Sequence, residues 1–329
     1  MNKLFALIGL TMIGSSAFAD DTKNHHPSVN TADADRFAVL FNETGGEPTV
    51  QQLETRYLQE AGSGLILLQR TRFGSADKLH AAIAAQPQKY QRAIEVCLPL
   101  AKRASDDLRT IYKEISVLLP DYDLPEVHAV IGAGTSAGTA QPGVQVLGLE
   151  TICAAKQTQA EILETFRFFF AHETIHAFQG LPDTSVVAMD PLLYASIYEG
   201  TADYIATLVT GQVPDKERNS WAEANAEMLW SQYSSDRQTL KESSYQGGPF
   251  TDLPEEARAA FVRWHFNAGI APEGWPVEAG YWIGRQIVSS YMENSNDPDA
   301  DLRSLLTLQD PEAVLQRSKF AERLAKQDN

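Results

Sequence analysis

Residues 158–182 read TQAEILETFRFFFAHETIHAFQGLP, and this stretch determines the centre of the fold. Thr158 and Glu161 have the spacing of a capping box, and Gly180 followed by Pro182 is a stop signal. The pattern therefore predicts a helix of about 20 residues. Four phenylalanines in its middle make the helix apolar on nearly every side. We expect such a helix to be buried in the core.

The end of this stretch has the spacing of a metal site. His172 and His176 stand at i and i+4, so both imidazoles lie on one helix face and can reach a single ion. Glu173, beside the first histidine, can contact a water bound to that ion. The motif predicts one Zn²⁺ per chain, with Glu173 as the catalytic acid–base residue that takes a proton from the water.

Zinc at a catalytic site takes a third protein ligand and keeps its fourth position for water. Glu199 lies 23 residues after His176, in a segment that Asp190-Pro191 starts and Gly211 ends as a helix. Glu199 and Asp203 share a face of that helix. The simplest assignment makes Glu199 the ligand and Asp203 an acceptor that holds His172 by its other ring nitrogen. The reverse, with Asp203 as the ligand, stays open.

These residues resemble a known class. His-Glu-x-x-His at 172–176 with Glu-Gly-x-Ala-Asp at 199–203 is similar to the gluzincin zinc metallopeptidases, and more narrowly to a group of bacterial zinc-dependent proteases known mainly from sequence. The similarity also includes residues 35–37, 62–65, 132–139, Gln179 and 280–284. The resemblance implies a zincin-like catalytic unit and peptide-bond hydrolysis.

The function predicted from the sequence is therefore that of an exported zinc metallopeptidase, a hydrolase acting on a peptide or protein substrate. Two alternatives stay open: a zinc-binding protein without hydrolase activity, and a zinc hydrolase acting on a non-peptide amide. The tetrahedral oxyanion that forms during hydrolysis would need a second electrophile besides the zinc ion. Tyr281 is favoured because it lies in the glycine-flanked segment that the resemblance includes, and Arg285 and His265 are the other candidates.

The first nineteen residues are typical of a signal peptide. They contain Lys3, an apolar run over residues 4–14, and Ala17-Phe18-Ala19 as a cleavage site. We expect an exported protein, in the periplasm rather than fully secreted, without a membrane span. A net charge of −16 and a pI near 4.8 argue against nucleic-acid binding, which requires basic side chains. The oligomeric state stays open.

The rest of the chain divides into three portions that differ in composition. A flexible lead-in over residues 20–34 precedes a helical portion over 35–119 and a zincin-like catalytic portion over 120–329, expected to form one compact body. Residues 127–131 and 144–149 predict two strands of a small antiparallel sheet around a loop at 132–139. The fold class is α+β, predominantly helical, with this sheet before the active-site helix. Whether Cys97 and Cys153 are paired stays open.

Overall fold

The computed structural model describes residues 26–243, 245–248 and 252–327. The predicted signal peptide over residues 1–19 lies outside this range. The described chain is an α+β fold, about 67% helical with a small four-stranded sheet, which confirms the predicted fold class. The zincin-like character of the unit stays a prediction. In the described residues, no helix combines the length and the apolar character needed to cross a membrane.

Short helices wrap the sheet in the first part of the chain, and longer ones build the second part. Side chains of Thr49, Ser75, Asp297 and Asp310 cap the helices that follow them. The helices of the first part are α1 (Ala32–Glu43), α2 (Val50–Leu53), α3 (Ser63–Leu68), α4 (Ala76–Ala85), α5 (Pro87–Arg92), α6 (Leu98–Arg103), α7 (Ser105–Leu118) and α8 (Leu149–Ala155), with π-helical turns at Glu54–Leu58, Gln69–Phe73 and Ala93–Cys97. Those of the second part are α9 (Gln159–Gln179), α10 (Thr184–Met189), α11 (Pro191–Thr210), α12 (Lys216–Ala224), α13 (Ala226–Lys241), α14 (Glu255–Val262), α15 (Ala279–Glu293), α16 (Pro298–Thr307), α17 (Pro311–Ser318) and α18 (Phe320–Gln327).

The sheet has the spatial order β1-β2-β4-β3, and all of its strands precede α9. The strands are β1 (Val29–Asn30), β2 (Glu126–Val130), β3 (Gly138–Gln141) and β4 (Val144–Gly148). β2 and β4 run parallel, so the predicted antiparallel pairing of these two segments is wrong. The antiparallel partner of β4 is β3, which lies partly in the expected loop. A tight turn with Gly143 at φ +81° joins β3 to β4, and this turn lets β4 lie parallel to β2.

The ordered body begins before the predicted boundary at residue 35. Val29 pairs in parallel with Val127, and Asp33 accepts hydrogen bonds from the backbone of Gly62. Residues 29–34 of the predicted lead-in therefore belong to the folded part, because Val29 and Asp33 have partners there.

Two large hydrophobic clusters make up the interior. The first joins the helices α1 to α8, the sheet and the first part of α9, together with Ala206 of α11. The second is built from residues 186–324 and includes α11, α13 and α15. α11 packs against both α9 and α15, so the face between α9 and α11 lies where the two clusters meet.

A disulfide links Cys97, at the end of a π-helical turn, to Cys153 in α8. Both residues are fully buried in the first cluster. The pairing that the sequence left open is thus present, and it joins two segments 56 residues apart.

Candidate metal centre

Local sequence signals set the two helices that carry the site. Thr158 and Glu161 form the capping box of α9, and Gly180 ends that helix with φ +69°. Asp190 caps α11 by accepting from the Leu193 backbone, and Gly211 ends it in the left-handed region. Both helices therefore have the boundaries that the sequence predicts.

Three polar side chains converge between α9 and α11. The Nε2 atoms of His172 and His176 lie 3.0 Å apart, and Glu199 Oε2 lies 3.0 Å from His176 Nε2 and 3.5 Å from His172 Nε2. One ligand atom of each residue lies within 4.8 Å of the others. All three side chains are largely buried, with Glu199 the most exposed at 17%. Two imidazole nitrogens and a carboxylate oxygen are a donor set that suits zinc.

Asp203 faces the opposite side of the His172 ring. Its Oδ1 lies 2.9 Å from His172 Nδ1, and its Oδ2 lies 3.4 Å from a guanidinium nitrogen of the buried Arg218. Asp203 is itself 1% exposed. Both of its oxygens are thus directed to other partners, away from the point where His172, His176 and Glu199 converge. This places it behind His172.

The charges within the site perturb one another strongly. Burial disfavours the ionised Glu199, but the imidazoles of His176 and His172 outweigh it and hold the pKa of the Glu199 carboxyl well below its usual range. Burial also disfavours a charged His172, but Asp203 and Glu199 raise the pKa of His172 to about 10. The centre therefore attracts positive charge.

Glu173 is buried beside the convergence point. Burial raises the pKa of the Glu173 carboxyl, while the two histidines and Arg72 act in the opposite sense. The first residue of β3 packs against it so closely that a β-carbon on Gly138 would lie 2.3 Å from Glu173 Oε1. A side chain at this end of the edge strand would therefore have to displace the Glu173 carboxylate.

The three residues that the sequence offers as stabilisers of an oxyanion lie in different surroundings. The Tyr281 ring is parallel to the His172 ring, with centroids 6.3 Å apart, and burial raises the pKa of its hydroxyl well above the usual value. His265 is 2% exposed and its Nε2 lies 3.0 Å from Ser196 Oγ. The Arg285 guanidinium donates to Asn219. Of the three, Tyr281 is the one stacked on a residue of the centre.

Sequence reasoning assigned no role to two residues that complete the surroundings. Arg218 lies in a charged stretch, and nothing in its sequence distinguishes it from its exposed neighbours Lys216 and Glu217. Gln179 was noted only as part of the resemblance, but its side-chain oxygen lies 2.7 Å from His176 Nδ1. Its position one turn after His176 is the signal that could have identified it.

A family model described as gliding motility protein GldB matches residues 19–322. The chain belongs to the GldB family. No curated protein and no solved structure matches the chain. The GldB match is consistent with an exported protein.

Membership of the GldB family corrects the function predicted from the motif. The gluzincin assignment is wrong, and so are the predicted metallopeptidase function and its hydrolase and protease terms, because the match points to a non-proteolytic role. The physical reason is that His-Glu-x-x-His spacing specifies which side chains share a helix face. It does not specify a reaction, since the same local geometry can serve on different folds.

Proposed function

We propose that this chain is an exported gliding-motility protein that holds one Zn²⁺ ion through His172, His176 and Glu199. The gliding role is the one for which the GldB family is named. The metal is supported by the convergence of three donor atoms within 4.8 Å in a largely buried position. That convergence is the observation that carries the proposal.

The proposed role of the metal is to hold α9 and α11 together. His172 and His176 belong to α9, whose first half is packed in the first hydrophobic cluster, whereas Glu199 belongs to α11, whose first half is packed in the second. An ion bound to all three would join the two clusters at their meeting face. Binding to the folded state alone would also stabilise that state, by about 4 kcal/mol when the free metal is at 1,000 times its Kd.

The other residues of the centre have supporting roles in this proposal. Glu173, buried beside the three ligands, would accept a hydrogen bond from a water bound to the ion. Asp203 orients His172, and Tyr281 packs against the same ring. These contacts hold the ligands in place and require no bond cleavage.

The metal is tested by calorimetric titration of chelator-treated mature protein with Zn²⁺. We expect one equivalent to bind to wild type, and His176→Gln and Glu199→Gln to weaken binding by more than about 100-fold. His80→Gln is the matched control, because His80 lies in α4 and bonds the Pro48 carbonyl. Wild type without a zinc site, or ligand variants that bind as tightly as wild type, would overturn the proposal.

The biological part is tested in a deletion strain of the source bacterium. We expect wild type to restore gliding and to appear in the periplasmic fraction, and His176→Gln to restore gliding less well at equal protein level. Equal restoration by His176→Gln would show that the metal is not needed for gliding. A deletion strain that glides normally would refute the motility role itself.

A further inference from the structure

Both polar atoms of the Gln179 side chain have partners in the centre. Its Oε1 lies 2.7 Å from His176 Nδ1, and its Nε2 donates to the backbone carbonyl of Tyr198 at 2.9 Å. Gln179 is the last residue of α9, and Tyr198 immediately precedes Glu199 in α11. One side chain thus spans from one proposed ligand to the neighbour of another.

The carbonyl of Tyr198 determines which way the Gln179 amide points. In the observed orientation an N–H faces that carbonyl and the amide oxygen faces His176. The flipped amide would place its oxygen against the Tyr198 carbonyl oxygen, and two acceptors cannot bond each other. The amide therefore presents an acceptor to His176 Nδ1.

An acceptor at Nδ1 selects one tautomer of His176. Neutral imidazole carries its proton on one nitrogen only, so a proton held at Nδ1 leaves the lone pair of Nε2 free to bind a metal. Nε2 is the nitrogen that faces Glu199 and His172. The Tyr198 ring also stacks on the His176 ring, with centroids 4.8 Å apart and planes at 16°, so the ring cannot turn freely.

We propose that Gln179 is a positioning residue of the metal centre, which fixes the tautomer of His176 and the spacing between His176 and Glu199 without binding metal itself. This inference rests on the proposed zinc site. The two histidines would then be held differently, because His172 faces the carboxylate of Asp203 and His176 faces a neutral amide. The amide supplies a donor for Tyr198, which a carboxylate at position 179 would lack.

The test compares Gln179→Ala and Gln179→Glu with the control Gln159→Ala, which changes an exposed glutamine at the start of the same helix. Zn²⁺ affinity is measured by competition with a chelator. Loss of an outer partner of a ligating histidine typically weakens metal binding by roughly 10- to 100-fold. We expect a loss in this range for Gln179→Ala, a smaller loss for Gln179→Glu, and none for Gln159→Ala.

A second measurement separates positioning from a general effect on folding. In zinc-loaded protein labelled with ¹⁵N-histidine, we expect the Nδ1 proton of His176 to be protected from exchange in wild type and to exchange faster in Gln179→Ala. If Gln179→Ala does not fold, Gln179→Met is used for both measurements, because methionine keeps the length of the side chain and lacks the amide. Unchanged affinity and unchanged Nδ1 protection in the variant would overturn this inference while leaving the zinc site intact. Wild type that binds no zinc would instead overturn the proposed function.

Discussion

Gly200 of α11 and Gly284 of α15 pack backbone against backbone where the two helices cross. A β-carbon on Gly200 would lie 2.1 Å from the Gly284 carbonyl carbon, and one on Gly284 would lie 1.6 Å from the Ser196 carbonyl oxygen. The crossing therefore depends on the absence of side chains. It sets the distance between the helix that carries Glu199 and the helix that carries Tyr281.

Replacing Gly200 by alanine should destabilise the protein although alanine is the better helix former. The gain in helix propensity is about 1 kcal/mol, whereas overpacking typically costs roughly 1–3 kcal/mol, and here the obstacle is backbone that cannot rotate away. We expect a net loss in the free energy of unfolding, measured with urea. Ser289→Ala, on α15 away from the crossing, is the control. A Gly200→Ala protein as stable as wild type would contradict the close approach.

Gly138→Ala should be costly because Glu173 occupies the space that the new methyl group needs. We expect a loss of roughly 1–3 kcal/mol in the free energy of unfolding. The loss should shrink when Glu173 is also alanine, with a coupling energy above about 0.5 kcal/mol. A double-mutant cycle by urea unfolding measures this coupling, and additive effects would refute the contact.

Asp203 and Glu199 should differ in their effect on zinc affinity. Glu199→Gln removes a proposed ligand, whereas Asp203→Asn removes only a charge behind His172, so its loss should stay within roughly 10- to 100-fold. Chelator competition measures both variants. If Asp203→Asn abolishes binding and Glu199→Gln retains it, Asp203 is the ligand, which is the alternative that the sequence left open.

His265 should make the metal-free protein less stable in acid. Burial lowers the pKa of His265 from 6.5 to about 4, so the folded protein stays neutral there while the unfolded chain takes up a proton. The contribution of neutral His265 to the free energy of unfolding is therefore fully present above pH 6.5. It is lost as the pH falls towards 4, by about 3 kcal/mol in total.

The measurement is the free energy of unfolding by urea between pH 4 and 7. In His265→Gln we expect the free energy of unfolding to change less steeply with pH, by up to about 1.4 kcal/mol per pH unit. Gln159→Ala, which removes an exposed side chain without a titratable group, should keep the slope of wild type. If the free energy of unfolding changes with pH in the same way in wild type and in His265→Gln, burial does not lower the pKa of His265.

Removing the disulfide should destabilise the first hydrophobic cluster. Closing a loop of this length is worth about 4 kcal/mol in the chain-entropy model. The variant with Cys97→Ala and Cys153→Ala should lose free energy of unfolding of that order, measured by urea at neutral pH. Reductant should lower the stability of wild type and leave that of the variant unchanged. If reductant has no effect on either protein, the cross-link does not contribute.

Much of the local structure could be predicted because it depends on residues close in sequence. The capping box and Gly180 predicted the bounds of α9, and Asp190-Pro191 and Gly211 predicted those of α11. The pairing of β2 with β4 could not be predicted in the same way, since strand direction depends on how distant segments pack. The hairpin of β3 and β4, with its turn at Gly143, decided it.

The sequence by itself determined that His172 and His176 share a helix face, and that Glu199 and Asp203 share another, because helical periodicity requires it. Only the tertiary structure decided that these faces meet, that Arg218 stands behind Asp203, and that Gln179 bridges His176 to Tyr198. Those contacts join residues as far apart in sequence as His172 and Asp203, and close packing rather than local propensity selects them. The short motif suggested a reaction, and the family match over nearly the whole chain corrected it.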